Sequence, residues 1–189
     1  FGSAHRHFTY RPATEVKDTT RISFAVEKDR PAGVIALTGA RIVRPATGEV
    51  IEEGTIVAED GRLTCVAAAG ECEVSGADRV VDASGKTVIP GLVDMHAHHY
   101  REHRGHRPRR DYELASYLAY GVTTTLDNSM WSQNIFPTAE RVEAGRMVGP
   151  CTYSTGDPTY AGDGPRQNEI ESYSVALDNV QRLKSWGAV

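Results

Sequence analysis

The sequence changes character at Pro90, and this change limits the possible folds more than any other feature. Before Pro90, short β-branched runs alternate with tight turns, which is the pattern of a small β-sandwich or meander. After Pro90, strand-like segments alternate with helix-like ones, which predicts parallel strands in an α/β layer fold. We therefore expect three regions: a lead-in over 1–33, a β-sandwich over 34–90 and an α/β region over 91–189.

The composition narrows the class of protein. Hydrophobic residues make up 40% and charged residues 24% of the 189 residues, as in an ordinary folded domain. The 21 basic and 25 acidic residues give a net charge of -4, which argues against a general nucleic-acid binder. No apolar run approaches the roughly 18 residues that a membrane-spanning helix needs. We therefore expect neither nucleic acid nor a membrane as a partner.

The cysteines argue against a scaffold built on disulfides or on a cysteine-bound metal. There are three of them, Cys65, Cys72 and Cys151, and they are scattered along the chain. None forms a C-x-x-C pair. We therefore expect neither a disulfide framework nor a cysteine zinc site. The cysteines do not indicate a cellular compartment.

The two ends of the chain differ in pattern. The first 33 residues are polar and are expected to be irregular, as a lead-in or as the tail of a preceding domain. Within them, residues 21–27 alternate in polarity, which predicts one half-buried strand, and residues 29–33 are typical of a linker. At the other end, Gly187 follows a helix-like segment and 188–189 is typical of the start of a strand. We therefore expect a fragment of a longer polypeptide.

The region before Pro90 predicts short strands joined by turns. The expected strands are 34–37, 40–43, 54–58, 63–66, 79–82 and 87–89. Asp60-Gly61 lies between two of these strands and is the typical centre of a two-residue hairpin.

The region after Pro90 predicts three strands, over 91–96, 122–127 and 151–155, the first of them buried. Asp111 is a suitable N-cap for a helix over residues 112–120, which Gly121 would end.

Two further helices are expected beyond the second of these strands. Pro137 favours the first turn of a helix that runs to about Met147. The last helix is expected from about residue 173 to residue 186. Its predicted inner stripe is Val175, Val180, Leu183 and Trp186.

The strongest chemical signal is a pair of histidines at the end of the first strand after Pro90. His96 and His98 are two residues apart, so a strand directs both imidazoles to one face and directs His99 to the other. Two neutral imidazoles held together suit zinc or a similar divalent ion. The alternative is a pair of histidines with ordinary hydrogen bonds. His103 and His106 are expected in the following loop.

The residues around this pair resemble a known family. Residues 85–98, read from Gly85 through Pro90 to His98, resemble the amidohydrolase superfamily, in which a small β-sandwich leads into the first strand of a metal-dependent (β/α)8 barrel. The resemblance extends over about residues 34–189. Within the superfamily, the chain is most similar to the imidazolonepropionase and prolidase-like branch. Residues 119–124 resemble the segment that enters the second strand in that branch. The residues before 34 resemble the tail of a β-propeller.

The resemblance implies a metal site that this chain only begins. His96 and His98 would be the strand-one ligands of a divalent metal, zinc above all, with one or two ions in the intact enzyme. The remaining ligands and the general base of such enzymes lie on later barrel strands. Only about three of eight βα units are expected here. We therefore expect a truncated barrel that contains no catalytic residue, needs the rest of its own polypeptide, and is neither active nor stably folded by itself.

The loop after the first strand holds the candidate substrate-binding residues, Tyr100 and Arg101. Dihydroorotases carry an arginine two residues after the second histidine, where this chain has Tyr100. Arg101 is one position further on, which weakens the dihydroorotase interpretation. Tyr100 would line the pocket as a hydrogen-bond donor, or lie at its rim as an aromatic side chain.

Two other features of the α/β region leave alternatives open. The basic loop 100–110 would attract an anionic substrate, pair with acids elsewhere in the protein, or form a nucleic-acid patch. Asp127 would either support the metal ligands or cap the next loop. The glycine-rich segment 156–164 lacks the Lys-Ser/Thr of a phosphate-binding loop and is expected to wall the site.

The predicted function is hydrolysis of a C–N bond in a cyclic amide or dipeptide-like small molecule by metal-activated water. The intact protein is also a candidate for oligomerisation. Two alternatives remain: a non-catalytic scaffold that keeps the barrel, and a binding module built on the basic loop.

Overall fold

The computed structural model describes residues 2–3, 6–99, 109–160 and 170–189. The chain divides into two compact units. The sheet unit is Asp29–Leu92, and the histidine unit combines Phe1–Lys28 with Val93–Val189. Among the helices of the described residues, none is both long and apolar enough to cross a bilayer.

The regular elements of the described residues are eleven strands and three helices. The strands are β1 (Gly2–Ser3), β2 (Arg6–Arg11), β3 (Val16–Arg21), β4 (Val34–Arg44), β5 (Glu49–Glu59), β6 (Arg62–Ala68), β7 (Arg79–Asp82), β8 (Thr87–Val88), β9 (Leu92–Ala97), β10 (Val122–Asp127) and β11 (Cys151–Ser154). The helices are α1 (Tyr112–Ala119), α2 (Ser132–Glu143) and α3 (Tyr173–Trp186).

The N-terminal residues form an antiparallel sheet in the order β1, β2, β3. The expectation of an irregular lead-in was therefore wrong. The expectation of a half-buried strand over residues 21–27 was also wrong, because β3 ends at Arg21 and the residues that follow are exposed and irregular. Phe24 is 84% exposed. The alternation of these residues did not produce a strand because their apolar side chains have no sheet face to pack against in the described residues.

The sheet unit contains one mixed sheet in the order β6, β5, β4, β7, with β8 also paired to β4. The hairpin between β5 and β6 turns at Asp60 and Gly61, both with positive φ, as the sequence predicted. The two strands expected over 34–37 and 40–43 are one strand, β4, with an irregular register around Gly39. A β-sandwich would need a second sheet packed on this one, and that stays a prediction.

Buried side chains lie on both faces of this sheet. The register places one set of three side chains on each face: Leu37, Ile56 and Val66 on one, and Ala36, Val57 and Cys65 on the other. Each set belongs to a separate hydrophobic cluster. The sheet unit is therefore stabilised by apolar burial on both of its faces.

A disulfide joins Cys65 of β6 to Cys72, a single cross-link that was not predicted from the sequence. The turn after β6 passes through Gly70, whose φ is +85°, and brings the chain back over the sheet. Cys72 is 7% exposed and belongs to the cluster around Val57. Cys151 is free and exposed.

The histidine unit contains a second sheet in the order β11, β10, β9, in which β10 and β11 are parallel. The prediction that its first strand is buried was wrong. In β9, Val93 is 55% and Met95 63% exposed. The reason is the position of β9 at the edge of this sheet, where the described residues leave much of its apolar surface uncovered.

Two helices of this unit follow their predicted limits. The Asp111 carboxylate accepts hydrogen bonds from the backbone N–H groups of Glu113 and Leu114 at the start of α1. The chain leaves α1 through Gly121 (φ +82°) and leaves α3 through Gly187 (φ +113°).

The inner stripe predicted for α3 is correct only in part. Leu183 is buried and both Val175 and Trp186 are half-buried, but Val180 is 55% exposed.

Helix α2 begins at Ser132 and not at Pro137, so its predicted start was wrong. Asp157, from the loop after β11, accepts hydrogen bonds from the backbone N–H of Ser132 at 3.0 Å and from its hydroxyl at 3.0 Å. A carboxylate distant in sequence therefore caps the helix and favours a start one turn and more before the proline. The helix also ends earlier than predicted, and Met147 lies beyond it.

Candidate functional site: a histidine pair at the edge of the parallel sheet

The two predicted metal ligands lie beside each other. His96 lies in β9, and His98 is the first residue after that strand. Their ring centroids are 5.0 Å apart, with an edge-to-face interplanar angle of 75°. Both side chains are exposed. Asp94, in the same strand, accepts a hydrogen bond from the backbone N–H of His96 at 2.9 Å. The structure thus presents two neighbouring imidazoles at the carboxyl end of one strand.

His99 is in a different environment from the pair, as the strand alternation predicted. It is 7% exposed, and its ring packs edge-to-face against Tyr117 of α1 with the centroids 5.1 Å apart. Its Nε2 lies 2.9 Å from the hydroxyl of Thr125 in β10. His99 therefore packs against α1 and β10 and does not contribute to the exposed pair.

A chain of hydroxyl groups leads to His99. The Thr152 hydroxyl donates to the carbonyl of Pro150, and the Thr125 hydroxyl donates to that of Thr152. The Thr125 hydroxyl thus lies between that of Thr152 and Nε2 of His99. Nδ1 of His99 has no hydrogen-bond partner among the described residues and lies 3.8 Å from a carboxylate oxygen of Glu113.

Burial lowers the pKa of His99, and this effect outweighs the opposing attraction of the nearby carboxylates of Asp127, Asp111 and Asp94. The ring is therefore neutral at neutral pH. A neutral, buried imidazole is suited to a structural role.

Asp127 links the ends of β9 and β10. Its side chain is 1% exposed. One carboxylate oxygen accepts a hydrogen bond of 2.8 Å from the backbone N–H of His99, and the other accepts one of 2.9 Å from the backbone N–H of Ser129. The hydroxyl of Ser129 lies 3.4 Å from Nδ1 of His98. Asp127 therefore caps the loop after β10 and also contacts the strand that carries the histidine pair.

The loops after β10 and β11 are joined by further hydrogen bonds. The hydroxyl of Thr155 donates to the carbonyl of Asn128 at 2.6 Å, and the backbone N–H of Thr155 donates to the carbonyl of Asp127 at 3.2 Å. The side-chain amide of Asn128 donates to the carbonyl of Met95 at 3.4 Å. The three strand ends are thus connected around the histidine pair.

Ser129 and the supporting role of Thr125 were not predicted from the sequence. Their signal is visible in hindsight, because both lie at or just beyond the end of the strand that follows the histidine strand. Carboxyl ends of neighbouring parallel strands meet at one edge of a sheet. Nothing in the local sequence distinguishes them from other polar residues.

The candidate substrate-binding residues Tyr100 and Arg101 lie outside the described residues, as do His103 and His106. The described end of the basic loop is Arg109, whose carbonyl accepts a hydrogen bond from the Arg141 guanidinium at 3.2 Å.

The loop after β11 is described up to Tyr160. In it, Asp157 contacts Ser132 and lies 3.6 Å from the guanidinium of Arg182 in α3. The described part of this loop therefore packs onto the two helices.

The histidine pair fits a divalent metal in part. Two imidazoles at this spacing can share one ion. A catalytic zinc ion needs three protein ligands, and no group of three or more His, Cys, Asp or Glu suited to a metal occurs in the residues that the structure describes. The pair can therefore supply some of the ligands of a metal, and others must come from elsewhere.

Comparison with known proteins gives the following relationships. No protein-family model matches the chain. A 5'-deoxyadenosine deaminase of Methanosarcina mazei is 34% identical over 105 residues, which are 55% of this chain and 21% of that protein. A dihydroorotase of Pelotomaculum thermopropionicum is 41% identical over 64 residues, 34% of this chain and 14% of that protein.

Among solved structures, a protein described as a prolidase from Bifidobacterium longum matches with a TM-score of 0.66 and 24% identity over 83% of this chain and 39% of that one. The chain thus spans a small part of these curated relatives and under half of the solved structure. The fold of the described residues and these sequence relationships agree with the resemblance carried by residues 85–98. Over the part of its length that the matches cover, the chain is therefore similar in sequence to deaminases and in fold to a prolidase and an amidohydrolase.

Proposed function

We propose that this chain forms the first part of the catalytic region of a metal-dependent amidohydrolase, which hydrolyses a C–N bond in a small molecule. The observation that carries the proposal is the pair of exposed imidazoles, His96 and His98, 5.0 Å apart at the carboxyl end of β9. Deaminases, a dihydroorotase and a prolidase among the similar proteins support it, because each name describes cleavage of a C–N bond.

Within this proposal, His96 and His98 hold a divalent cation, zinc first among the candidates. Such a cation, when bound, lowers the pKa of a water molecule toward neutrality and polarises the scissile carbonyl. The histidines contribute as neutral donors, since a protonated imidazole has no lone pair for a metal. The further ligands and the general base belong to parts of the intact protein outside the described residues. By itself the described part is therefore inactive.

The same proposal assigns the regions of the chain. Residues 34–90 are part of a β-sandwich, residues 91–189 are the first βα units of a truncated (β/α)8 barrel, and residues 1–33 precede both. The prolidase-like branch is favoured because two structures of similar fold are described as a prolidase and an Xaa-Pro dipeptidase. The substrate is then a dipeptide-like or cyclic amide, with Tyr100 and Arg101 as its contacts. The partners are this substrate and the rest of the same polypeptide, with oligomerisation as a further possibility to measure.

The test uses the full-length protein that contains these residues. Metal-free protein is titrated with zinc by calorimetry, and turnover is assayed on an Xaa-Pro dipeptide, a hydantoin-type cyclic amide and an aminopurine nucleoside. His96→Ala and His98→Ala should abolish metal-dependent turnover and weaken zinc binding. His7→Ala is the matched control, because His7 is an exposed histidine of β2, and it should change neither.

The other outcomes separate the alternatives. Zinc binding that depends on both histidines, without turnover of any substrate class, would favour the non-catalytic scaffold. Zinc binding that is unaffected by His96→Ala and His98→Ala would contradict the proposed site. Salt-dependent binding to nucleic acid in place of turnover would favour the basic-loop module.

A further inference from the structure

The carboxylate of Asp127 is shared between two strand ends. It accepts one hydrogen bond from the backbone N–H of His99, the residue after His98. It accepts a second one from the backbone N–H of Ser129, which lies two residues after Asp127. Both hydrogen bonds are short, at 2.8 and 2.9 Å, and the side chain is 1% exposed. A buried carboxylate with two such bonds is held in one orientation, because losing either bond would leave a charge unsatisfied.

The position of Asp127 determines where the Ser129 hydroxyl lies. Ser129 is attached to Asp127 through its backbone N–H, and His98 is attached through the backbone of its neighbour His99. The two side chains that this arrangement brings together are the Ser129 hydroxyl and the His98 ring, with Oγ 3.4 Å from Nδ1. The contact is loose, as contacts around metal ligands and catalytic groups often are before a ligand binds.

We propose that Asp127 is a positioning residue that holds Ser129 against Nδ1 of His98, so that Nδ1 carries the proton and Nε2 is the lone-pair atom left for a ligand. The inference rests on the proposed function for its ligand, a divalent metal. Histidines that bind a metal commonly donate their second ring N–H to an oxygen, and that bond fixes both the tautomer and the ring orientation. Ser129 supplies that oxygen, and Asp127 acts through Ser129.

A second carboxylate in the same unit provides a matched comparison. Asp157 also lies just after a strand of this sheet, and it also accepts a backbone N–H, that of Ser132. Its other contacts are the Ser132 hydroxyl and Arg182, and none of its described contacts involves His98. Asp157 therefore shares the structural role of Asp127 but not the proposed role toward the histidine.

The experiment measures the tautomer of His98 and the zinc affinity of the full-length protein. Nitrogen-15 NMR of the histidine rings in metal-free protein at pH 8 identifies the protonated nitrogen, and calorimetry gives the zinc affinity. The variants are Asp127→Asn, Ser129→Ala and Ser129→Thr, with Asp157→Asn as the control. Ser129→Ala keeps the proposal testable if Asp127→Asn fails to fold.

The wild-type ring should carry its proton on Nδ1. Asp127→Asn and Ser129→Ala should each give mixed tautomers and weaken zinc binding by about 10- to 100-fold. Ser129→Thr keeps the hydroxyl and should restore most of the affinity. Asp157→Asn should leave the tautomer and the affinity unchanged even where it lowers Tm.

The proposal would be overturned by a wild-type His98 that carries its proton on Nε2. It would also be overturned if Asp127→Asn and Ser129→Ala left tautomer and zinc affinity at wild-type values. Failure of the proposed function has a different signature. The wild-type protein would then bind no zinc, while the tautomer of His98 still depended on Asp127 and Ser129, and the positioning role would stand.

Discussion

In the sheet unit, apolar side chains of neighbouring strands pack on both faces of one sheet, whereas in the histidine unit the strand ends are connected by polar side chains. Ile42 and Ile56 are 4% and 8% exposed in one cluster of the sheet unit. In the histidine unit, the buried groups around the strand ends include Asp127, Thr125 and Ser154. The two units are therefore stabilised by different interactions.

The difference lies in how far apart the contacting residues are in sequence. The pairs that build the sheet unit come mostly from hairpins and short connections, such as β4 with β5 and β5 with β6. In the histidine unit, Asp127 contacts His99, and Asp157 contacts Ser132, 28 and 25 residues away. Pairing of neighbouring strands therefore forms most of the sheet unit, whereas the histidine unit depends on contacts between loops that are distant in sequence. In the full-length protein, substitutions in the two units should therefore differ in their effect on stability.

The largest effect is expected in the apolar core of the sheet unit. Ile42→Ala should lower the free energy of unfolding by about 2–5 kcal/mol, because it removes buried methyl groups and leaves a cavity. Urea unfolding measures the change. Val50→Ala, at a 40% exposed position of β5, should cost less than about 1 kcal/mol. Equal losses for the two variants would show that burial on this face does not stabilise the sheet.

The second-largest effect is expected from removal of the disulfide in the sheet unit. Its cysteines are 7 residues apart, so loss of the cross-link should destabilise the sheet unit by about 2–3 kcal/mol in the loop-entropy model. The double variant Cys65→Ala, Cys72→Ala is compared with wild type by thermal unfolding. Cys151→Ala removes the free, exposed cysteine and should leave Tm nearly unchanged. A double variant that unfolds like wild type would mean that the cross-link is not formed.

The cap of α2 tests the polar connections of the histidine unit. Asp157→Ala removes the acceptor for the backbone N–H and hydroxyl of Ser132, and we expect a loss of about 1–2 kcal/mol. Asp178→Ala, at an exposed position of α3, should change stability by less than about 0.5 kcal/mol. Hydrogen exchange of the first turn of α2 is the direct measurement. Unchanged protection in Asp157→Ala would argue that the helix start does not depend on this carboxylate.

The smallest effect is expected from pH, through His99. Burial lowers the pKa of this ring in the folded protein, so below the ordinary histidine pKa the unfolded chain binds a proton that the folded chain does not. The contribution of His99 to stability is therefore complete above the ordinary histidine pKa, and it is lost as the pH falls below that value. His99→Gln should therefore flatten the loss of stability between about pH 7 and pH 5, and His7→Gln should not. Parallel curves for wild type and His99→Gln would contradict the buried, neutral state.

Elements with local signals were predictable. The hairpin at Asp60-Gly61 and the caps at Asp111, Gly121 and Gly187 occur where the sequence indicated, because each depends on the backbone preference of one or two residues. The separation of His99 from the His96 and His98 pair also followed from strand alternation alone.

Three of the errors concern contacts that lie outside the segment that was misjudged. The start of α2 depends on Asp157, and Pro137 by itself suggested a later start. Residues 22–27 alternate like a strand but have no neighbouring strand to pair with in the described residues. The exposure of β9 reflects its position at a sheet edge, which is a property of the sheet order and not of the strand itself.

The sequence alone predicted the order of strands and helices from residue 34 onward, the hairpin turn at Asp60-Gly61, the family resemblance and the pairing of His96 with His98. These depend on periodicity and on residue types a few positions apart, which physical chemistry ties directly to backbone conformation. The partners of Cys65, Asp127 and Asp157 became visible only in the folded structure. Cys72 meets Cys65 only because the turn after β6 brings the chain back. The carboxylates of Asp127 and Asp157 meet their partners only when the loops that follow neighbouring strands pack together.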